Sequence, residues 1–506
     1  MIPLTLAEIT EATAGTLHHV TDPATPVTGP LSFDSRHIAP GGLFACLTGR
    51  TFDGHDFAEQ AVRDGAVAVI ATRPTPAPTL LVPDVLDAMG DIARAVAARY
   101  TGTVIALTGS AGKTSTKDIL ENVLALDGPT VANEKSFNNE IGFPVTVSRV
   151  MPDSRYLLLE MGARGKGHIE KLCGLVRPAI ATVLGVGSAH IGEFGSTQAI
   201  ADAKAEIVRA LPRHGVAVLN GDDPLVAAMA RQTQARVITF GTAAGCDVQA
   251  VNITVEHGRP AFTLRHGTSE ARVALRVHGR HNTTNALAAA ATAIAAGVPF
   301  PRIVSGLQEA RLSSGGRMEI LERPDGITII NDAFNASPES VIAALTALSD
   351  IAGTERRKIA VLGEMAELGP ETEAWHDKIA TEVLASGIAL TIGIGGEHAT
   401  RLTTAVREGG ANATTTDRSP SLPQHINAML RPGDVVLIRS SPGKEAAARP
   451  GYRHPRHRPA HGRLRDHGKG PSSPWSSDAS PPAAPSARRT NRAQSTNPCE
   501  ATIAST

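Results

Sequence analysis

The apolar run Val104-Ile-Ala-Leu-Thr108 passes directly into Gly109-Ser-Ala-Gly-Lys-Thr-Ser115 and then into a helix-compatible stretch, Thr114 to Leu126. Strand, glycine-rich turn and helix in that order constrain this chain more than any other feature. Such a strand belongs in a sheet whose neighbours are parallel, because the helix that follows carries the chain back across one face. The turn itself predicts a phosphate site. Gly109 and Gly112 let the backbone amides of Ser110, Ala111 and Ser115 come close to anionic oxygens, at the positive end of a helix. Lys113 supplies charge to the β- and γ-phosphates, and the Thr114 hydroxyl suits a magnesium ion. Leu107 stands where the usual form of this loop has its first glycine. The plainer alternative is a Gly/Ser strand-to-helix turn with an exposed lysine; the strand–loop–helix context favours ATP.

The same alternation recurs along the chain and predicts an α/β protein. Buried-strand candidates are Gly42–Leu47, Ala66–Ala71, Tyr156–Leu159, Ile180–Leu184, Val216–Leu219, Ile327–Ile330, Lys358–Leu362, Leu390–Ile394 and Asp434–Ile438. Helical patterns span about Ala199–Leu211, Asn285–Ala296, Ser337–Leu348 and Glu373–Leu384. At 506 residues the chain exceeds one hydrophobic core and should divide into about three domains. The pattern places them at 1–100, 101–312 and 313–440, the last of them Rossmann-like. From about Ser441 the composition turns to Arg, His, Pro and Ser with no apolar period, so residues 441–506 are expected to be disordered.

Charge and cysteine usage exclude several classes. The formal net charge is zero, but from Lys444 onward 11 Lys and Arg face 4 Asp and Glu, which leaves the body acidic. An acidic body lacks the clustered cations that phosphate backbones require, so no nucleic-acid partner is expected. The four cysteines, Cys46, Cys173, Cys246 and Cys499, are too scattered for a disulfide framework or a zinc site. The N-terminal residues lack a signal-peptide layout, and no apolar run approaches the ~18 residues a membrane helix needs. The expectation is a cytoplasmic protein without membrane contact, acting on small molecules.

Further segments carry a family resemblance. The shortened loop Thr108–Ser115 is similar to that of the Mur ligases and of folylpolyglutamate synthetase. Glu160-Met-Gly-Ala-Arg164, Gly187-Ser-Ala-His190, Asp202-Ala-Lys-Ala-Glu206 and His278-Gly-Arg-His-Asn-Thr-Thr-Asn-Ala286 resemble the Mur central domain. Gly316-Arg-Met-Glu319 and Asn331-Asp-Ala-Phe-Asn-Ala-Ser-Pro338 resemble the start of its C-terminal domain, and Phe33-Asp-Ser-Arg36 its N-terminal UDP-sugar domain. The resemblance implies ATP and Mg2+, with Thr114, Glu160, His190 and a carbamylated Lys204 as metal ligands. It implies catalytic roles for Lys113, Lys204, His190 and Arg317, and nucleotide contacts by Asn282, Asn285, Arg317 and Asp332. Ser35, Arg36, Asn138 and Asn139 would meet the substrates. Three positions depart from the family pattern: Gly185 and Ser337 each stand for asparagine, and Phe334 stands for tyrosine.

Within the family, Leu362-Gly-Glu-Met-Ala-Glu-Leu-Gly369 followed by His376 is similar to the member that joins D-alanyl-D-alanine to UDP-N-acetylmuramoyl-tripeptide. That enzyme works through an acyl phosphate, and the family expectation is a monomer. Two alternatives stay open: a Mur-like amide ligase of secondary metabolism, and a Mur-fold binding protein impaired by an altered C-terminus. The family ordinarily continues past the last strand with Lys-Gly-Ser-Arg and a helix, whereas Arg439-Ser-Ser-Pro-Gly-Lys444 leads into the Arg/His-rich stretch. A reading-frame change near Ser441 would produce that, and an appended disordered partner-binding segment is the other possibility.

Overall fold

The computed structural model describes residues 1–49, 52–134 and 137–441. Ser136 and the stretch after Ser441, including the proposed frame change and tail, lie outside the described residues. Among the described residues the fold is α/β, as expected, with three main sheets that are largely parallel.

The central sheet has nine strands among the described residues. From one edge to the other they are 269–274, 259–266, 248–256, 236–241, 216–220, 180–183, 103–108, 156–160 and 130–132. Strands 156–160, 180–183 and 216–220 are buried along their whole length. That is why they read as unbroken apolar runs instead of alternating ones. The strand Thr103–Thr108 lies between 156–160 and 180–183, and the chain runs outward from it on both sides. Such a reversal of strand order opens a crevice at the C-terminal ends of the strands. Register brings Glu160 opposite Leu107 and Val183 opposite Thr108, so three loops leave the sheet together there.

Helix Lys113–Ala125 packs beneath helix Asn282–Ala295, whose alanines at 286, 288–291 and 293 are fully buried. Side chains no larger than a methyl let the two helices come close. The patterned helix 199–211 is in fact broken: one helix ends at Lys204, and a short turn of helix begins at Glu206. The break turns the Glu206 carboxylate toward the Gly167 and Glu170 amides, at 2.7 and 3.0 Å. The hairpin strands 248–256, 259–266 and 269–274 pair antiparallel and were not foreseen. They alternate buried and exposed residues, so they lack the apolar runs that mark the parallel strands.

The N-terminal sheet orders its strands 16–18, 79–81, 68–71, 43–45 and 31–32. Helix Val85–Arg99 beside it shares one continuous apolar core with helices 142–147 and 168–175 of the central region. The C-terminal sheet orders 319–322, 328–331, 435–439, 358–363, 390–394 and 413–416, with only the first strand antiparallel.

The connection between the last two sheets is pinned to the loop helix. Asp118, fully buried, accepts from Ser313 Oγ and Ser314 Oγ, both at 3.1 Å, and from Ser314 N at 3.0 Å. Its charge is met by the buried Lys117 ammonium at 2.6 Å. Removing the carboxylate leaves the buried cation with only its longer 3.4 Å contact to Glu121, so Asp118→Ala should cost about 3 kcal/mol of unfolding free energy in a urea titration. Unchanged stability would show that this pair carries no structural load.

Candidate active site

The site grows from the end of strand Thr103–Thr108. Thr108 Oγ1 donates to Met161 O at 2.9 Å, and Ser110 N donates to Gly185 O at 3.0 Å, so the loop is tied to the strand ends on both sides. Ser110 Oγ also joins Gly187 through its amide at 2.9 Å. Gly112 has φ +79°, and a Cβ there would lie 2.4 Å from Asn285 Oδ1. Backbone conformation and space therefore both require glycine. Lys113 folds back over the loop, its ammonium 2.7 Å from Gly109 O.

Next to the loop, Glu160 ends its strand with 1% of its surface exposed. The Thr114 hydroxyl donates to Glu160 Oε2 at 2.8 Å, and Asn138 Nδ2 donates to Oε1 at 2.7 Å. Arg317 reaches in from the C-terminal unit and donates from Nη2 to the same Thr114 oxygen at 2.9 Å. Its guanidinium stacks over the Phe334 ring at 4.1 Å from the centroid. Lys113, Thr114, Glu160, Asn138 and Arg317 thus meet in one place.

Lys204 is 5% exposed, at the C-terminal end of its helix. It makes no hydrogen bond or ion pair among the described residues. Burial pushes its amine well below the ordinary lysine range, and the nearby Lys113 charge pushes the same way. His190 has the left-handed φ of +64° and turns its Nδ1 onto Glu367 Oε2 of the C-terminal unit. Among the described residues no three His, Cys, Asp or Glu side chains converge on one point. Magnesium does not need such a cage, because it takes one or two carboxylates and completes its shell with substrate phosphates and water. The hard oxygens of Thr114 and Glu160, 2.8 Å apart beside a basic loop, fit that pattern.

Several residues expected at the ligand do other work in this conformation. Asn282 is wholly buried, donates to His278 O at 2.6 Å and accepts from Asn285 Nδ2 at 2.8 Å. Asn285 Oδ1 accepts from Thr116 at 3.2 Å. These amides brace the loop helix, and Asn282 presents no free edge to a base. Asp332 pairs with Arg439 and accepts from Met318 N at 3.1 Å, which fixes the backbone beside Arg317. Asn139 Oδ1 accepts from Gly142 N at 3.1 Å, at the start of helix 142–147. Arg36 is exposed and bidentate to Asp34, with both contacts at 2.7 Å, while Ser35 lies half-buried in the same turn. That turn reaches the site through Phe33, whose ring lies 5.7 Å from that of Phe137, next to Asn138.

Sequence reasoning missed Asn133. Buried at 1% exposure, it accepts from Glu160 N at 2.5 Å and donates to Phe137 O, also at 2.5 Å. It therefore fixes the two segments that present Glu160 and Asn138. Its only signal was an asparagine directly after a short apolar strand.

Comparison with known proteins identifies the family. Residues 30–97 match the Mur ligase family catalytic domain, 107–293 the Mur ligase middle domain, and 316–441 the Mur ligase glutamate ligase domain. A Mycobacterium tuberculosis protein named UDP-N-acetylmuramoyl-tripeptide–D-alanyl-D-alanine ligase is 41% identical, over 87% of this chain and 96% of that one. The Escherichia coli protein of the same name is 35% identical, over 88% and 97%. The crystal structure of MurF from Acinetobacter baumannii superposes with a TM-score of 0.76 at 30% identity, covering 87% and 96%. MurF from Thermotoga maritima in complex with ADP gives 0.69 at 28%, covering 82% and 94%. Relatives this similar, over nearly their whole length, establish that the chain belongs to the Mur ligase family.

Proposed function

We propose that this protein is the ATP-dependent ligase that joins D-alanyl-D-alanine to UDP-N-acetylmuramoyl-tripeptide, a step in building peptidoglycan precursor. The observation that carries the reading is the convergence of Lys113, Thr114, Glu160 and Arg317 at the loop, beside the buried Lys204. The 35–41% identity to relatives of that name supports the choice of substrates. The work divides among three units with boundaries near residues 100 and 312: a precursor-binding unit, an ATP-binding unit and a C-terminal unit that delivers Arg317. The protein acts as a monomer in the cytoplasm; among the described residues, no helix is long and apolar enough to cross a membrane.

In the first half-reaction the tripeptide's terminal carboxylate attacks the γ-phosphorus of ATP, and ADP departs with the bridging oxygen. Lys113, Arg317 and the loop amides hold the charge that spreads over the equatorial oxygens. In the second, the neutral amine of the dipeptide attacks the acyl carbon, the C–O bond breaks, phosphate leaves and the amine loses one proton. Thr114, Glu160, His190 and Lys204 would hold Mg2+, which offsets phosphate charge when bound. Lys204 suits this role as a carbamate. Its buried neutral amine adds CO₂ through a new N–C bond, one proton is released, and the neutral nitrogen group becomes a carbamate with anionic oxygens.

ADP release should require both UDP-N-acetylmuramoyl-tripeptide and D-alanyl-D-alanine. Turnover only with another amine would replace this assignment with a Mur-like ligase of other chemistry, and nucleotide binding without turnover would make the chain a binding protein. Removing dissolved CO₂ should slow the reaction and bicarbonate should restore it. Lys204→Ala should lower kcat by about 10²–10³-fold, by analogy with losing one preorganised charge stabiliser, and abolish the bicarbonate response. A bicarbonate response that survives in Lys204→Ala would move the carbamate elsewhere.

A further inference from the structure

The proposed metal histidine is held from outside its own unit. His190 and Glu367 face one another across the seam between the central and C-terminal units, and each is a non-glycine residue at φ +64°. Paired left-handed side-chain residues are uncommon, and strain of this kind collects where a side chain must be aimed. The seam around them is tight. Gly192 N donates to Glu367 O at 3.0 Å, and a Cβ on Gly192 would come within 2.5 Å of Gly369 N. A second carboxylate from the same side, Glu339, accepts from Ser188 N at 2.7 Å.

The segment that carries Glu367 is itself anchored at its start. Glu364 Oε1 accepts from His398 N and Ala399 N, at 3.1 and 3.3 Å. Met365 N donates to His376 Nε2 at 3.2 Å, while His376 Nδ1 lies 2.7 Å from Thr372 O. The Thr372 carbonyl can only accept, so His376 is neutral, with its proton on Nδ1 and a lone pair on Nε2 for Met365. Glu367 therefore projects from a braced turn.

An ionised carboxylate can only accept, so the His190 proton facing Glu367 sits on Nδ1. In the neutral ring the other nitrogen, Nε2, then keeps its lone pair. A metal-bound histidine is held in just this way when a carboxylate takes its second N–H. We propose that Glu367 is a positioning residue that readies His190 Nε2 for a divalent cation, so that this cation site is complete only when the C-terminal unit is docked on the central one. The inference rests on the reading of His190 as a magnesium ligand. It adds that the two units build the site jointly, which links cation affinity to docking.

Mn2+ can be titrated into the full-length chain with a non-hydrolysable ATP analogue, and the free ion followed by electron paramagnetic resonance. His190→Ala should remove one class of bound ion. Glu367→Ala should weaken that same class by about 10–100-fold. Glu367→Gln, which preserves shape and serves if the alanine variant fails to fold, should weaken it less. Neither change should have any further effect in a His190→Ala background, and nucleotide affinity in EDTA should stay as in the parent. If His190→Ala removes the class and both Glu367 variants leave it intact, the positioning role is wrong and the metal reading stands. If His190→Ala itself changes nothing, the metal reading fails and this inference falls with it.

Discussion

One hydroxyl group joins the parts of this molecule that have to act together. Thr114 Oγ1 gives its hydrogen to Glu160 and takes one from Arg317, so loop, strand end and C-terminal unit meet at a single oxygen. Hydrogen bonds to charged groups contribute about 1.5–3 kcal/mol each, enough to bias the docking of two units without locking it. Arg317 does not arrive by chance. Asp118 grips Ser313 and Ser314 just before it, Asp332 takes the Met318 amide just after it, and the Phe334 ring lies beneath its guanidinium. Donors fixed in this way need little rearrangement when charge builds on a phosphoryl group, which is where electrostatic catalysis gains most.

The departures from the family pattern have physical readings in this context. Phe334 keeps the aromatic platform for Arg317, so the tyrosine hydroxyl is dispensable for that contact. Ser337 caps helix Pro338–Ala352 in a reciprocal pairing with Ser340, work that asparagine also does well. Gly185 contributes its carbonyl to Ser110, a backbone role that no side chain governs.

The parallel strands, the loop and its helix were legible because burial on both faces leaves an unmistakable apolar run. Arg317 and Glu160 were legible through linked motifs. What escaped was the packing role of the layer behind them. Asn133 and Asn282 act through buried amides whose partners, Phe137 and Glu160 for the one and His278 and Asn285 for the other, are set by tertiary packing. An asparagine that braces a loop and one that reads a base look identical in a string. The break after Lys204 escaped for a similar reason: it goes with a carboxylate, Glu206, whose amide partners lie more than thirty residues away.

The last described strand supports the same arginine, Arg317, from a distance. Val435–Arg439 lies inside the C-terminal sheet, paired with 328–331 on one side and 358–363 on the other. The sheet cannot close until that strand is in place, and its contacts span about a hundred residues, so its assembly is intrinsically slow. Arg439 then pairs with Asp332, which holds the Met318 amide beside Arg317. Ser441 Oγ accepts from Ala336 N at 3.0 Å, which ties the same end to the loop that carries Phe334. This strand is therefore both a structural keystone of its sheet and the remote support of the arginine that meets Thr114. Whatever disturbs residues 435–441 is felt at the phosphate loop through three hydrogen-bonded steps, with no direct contact needed.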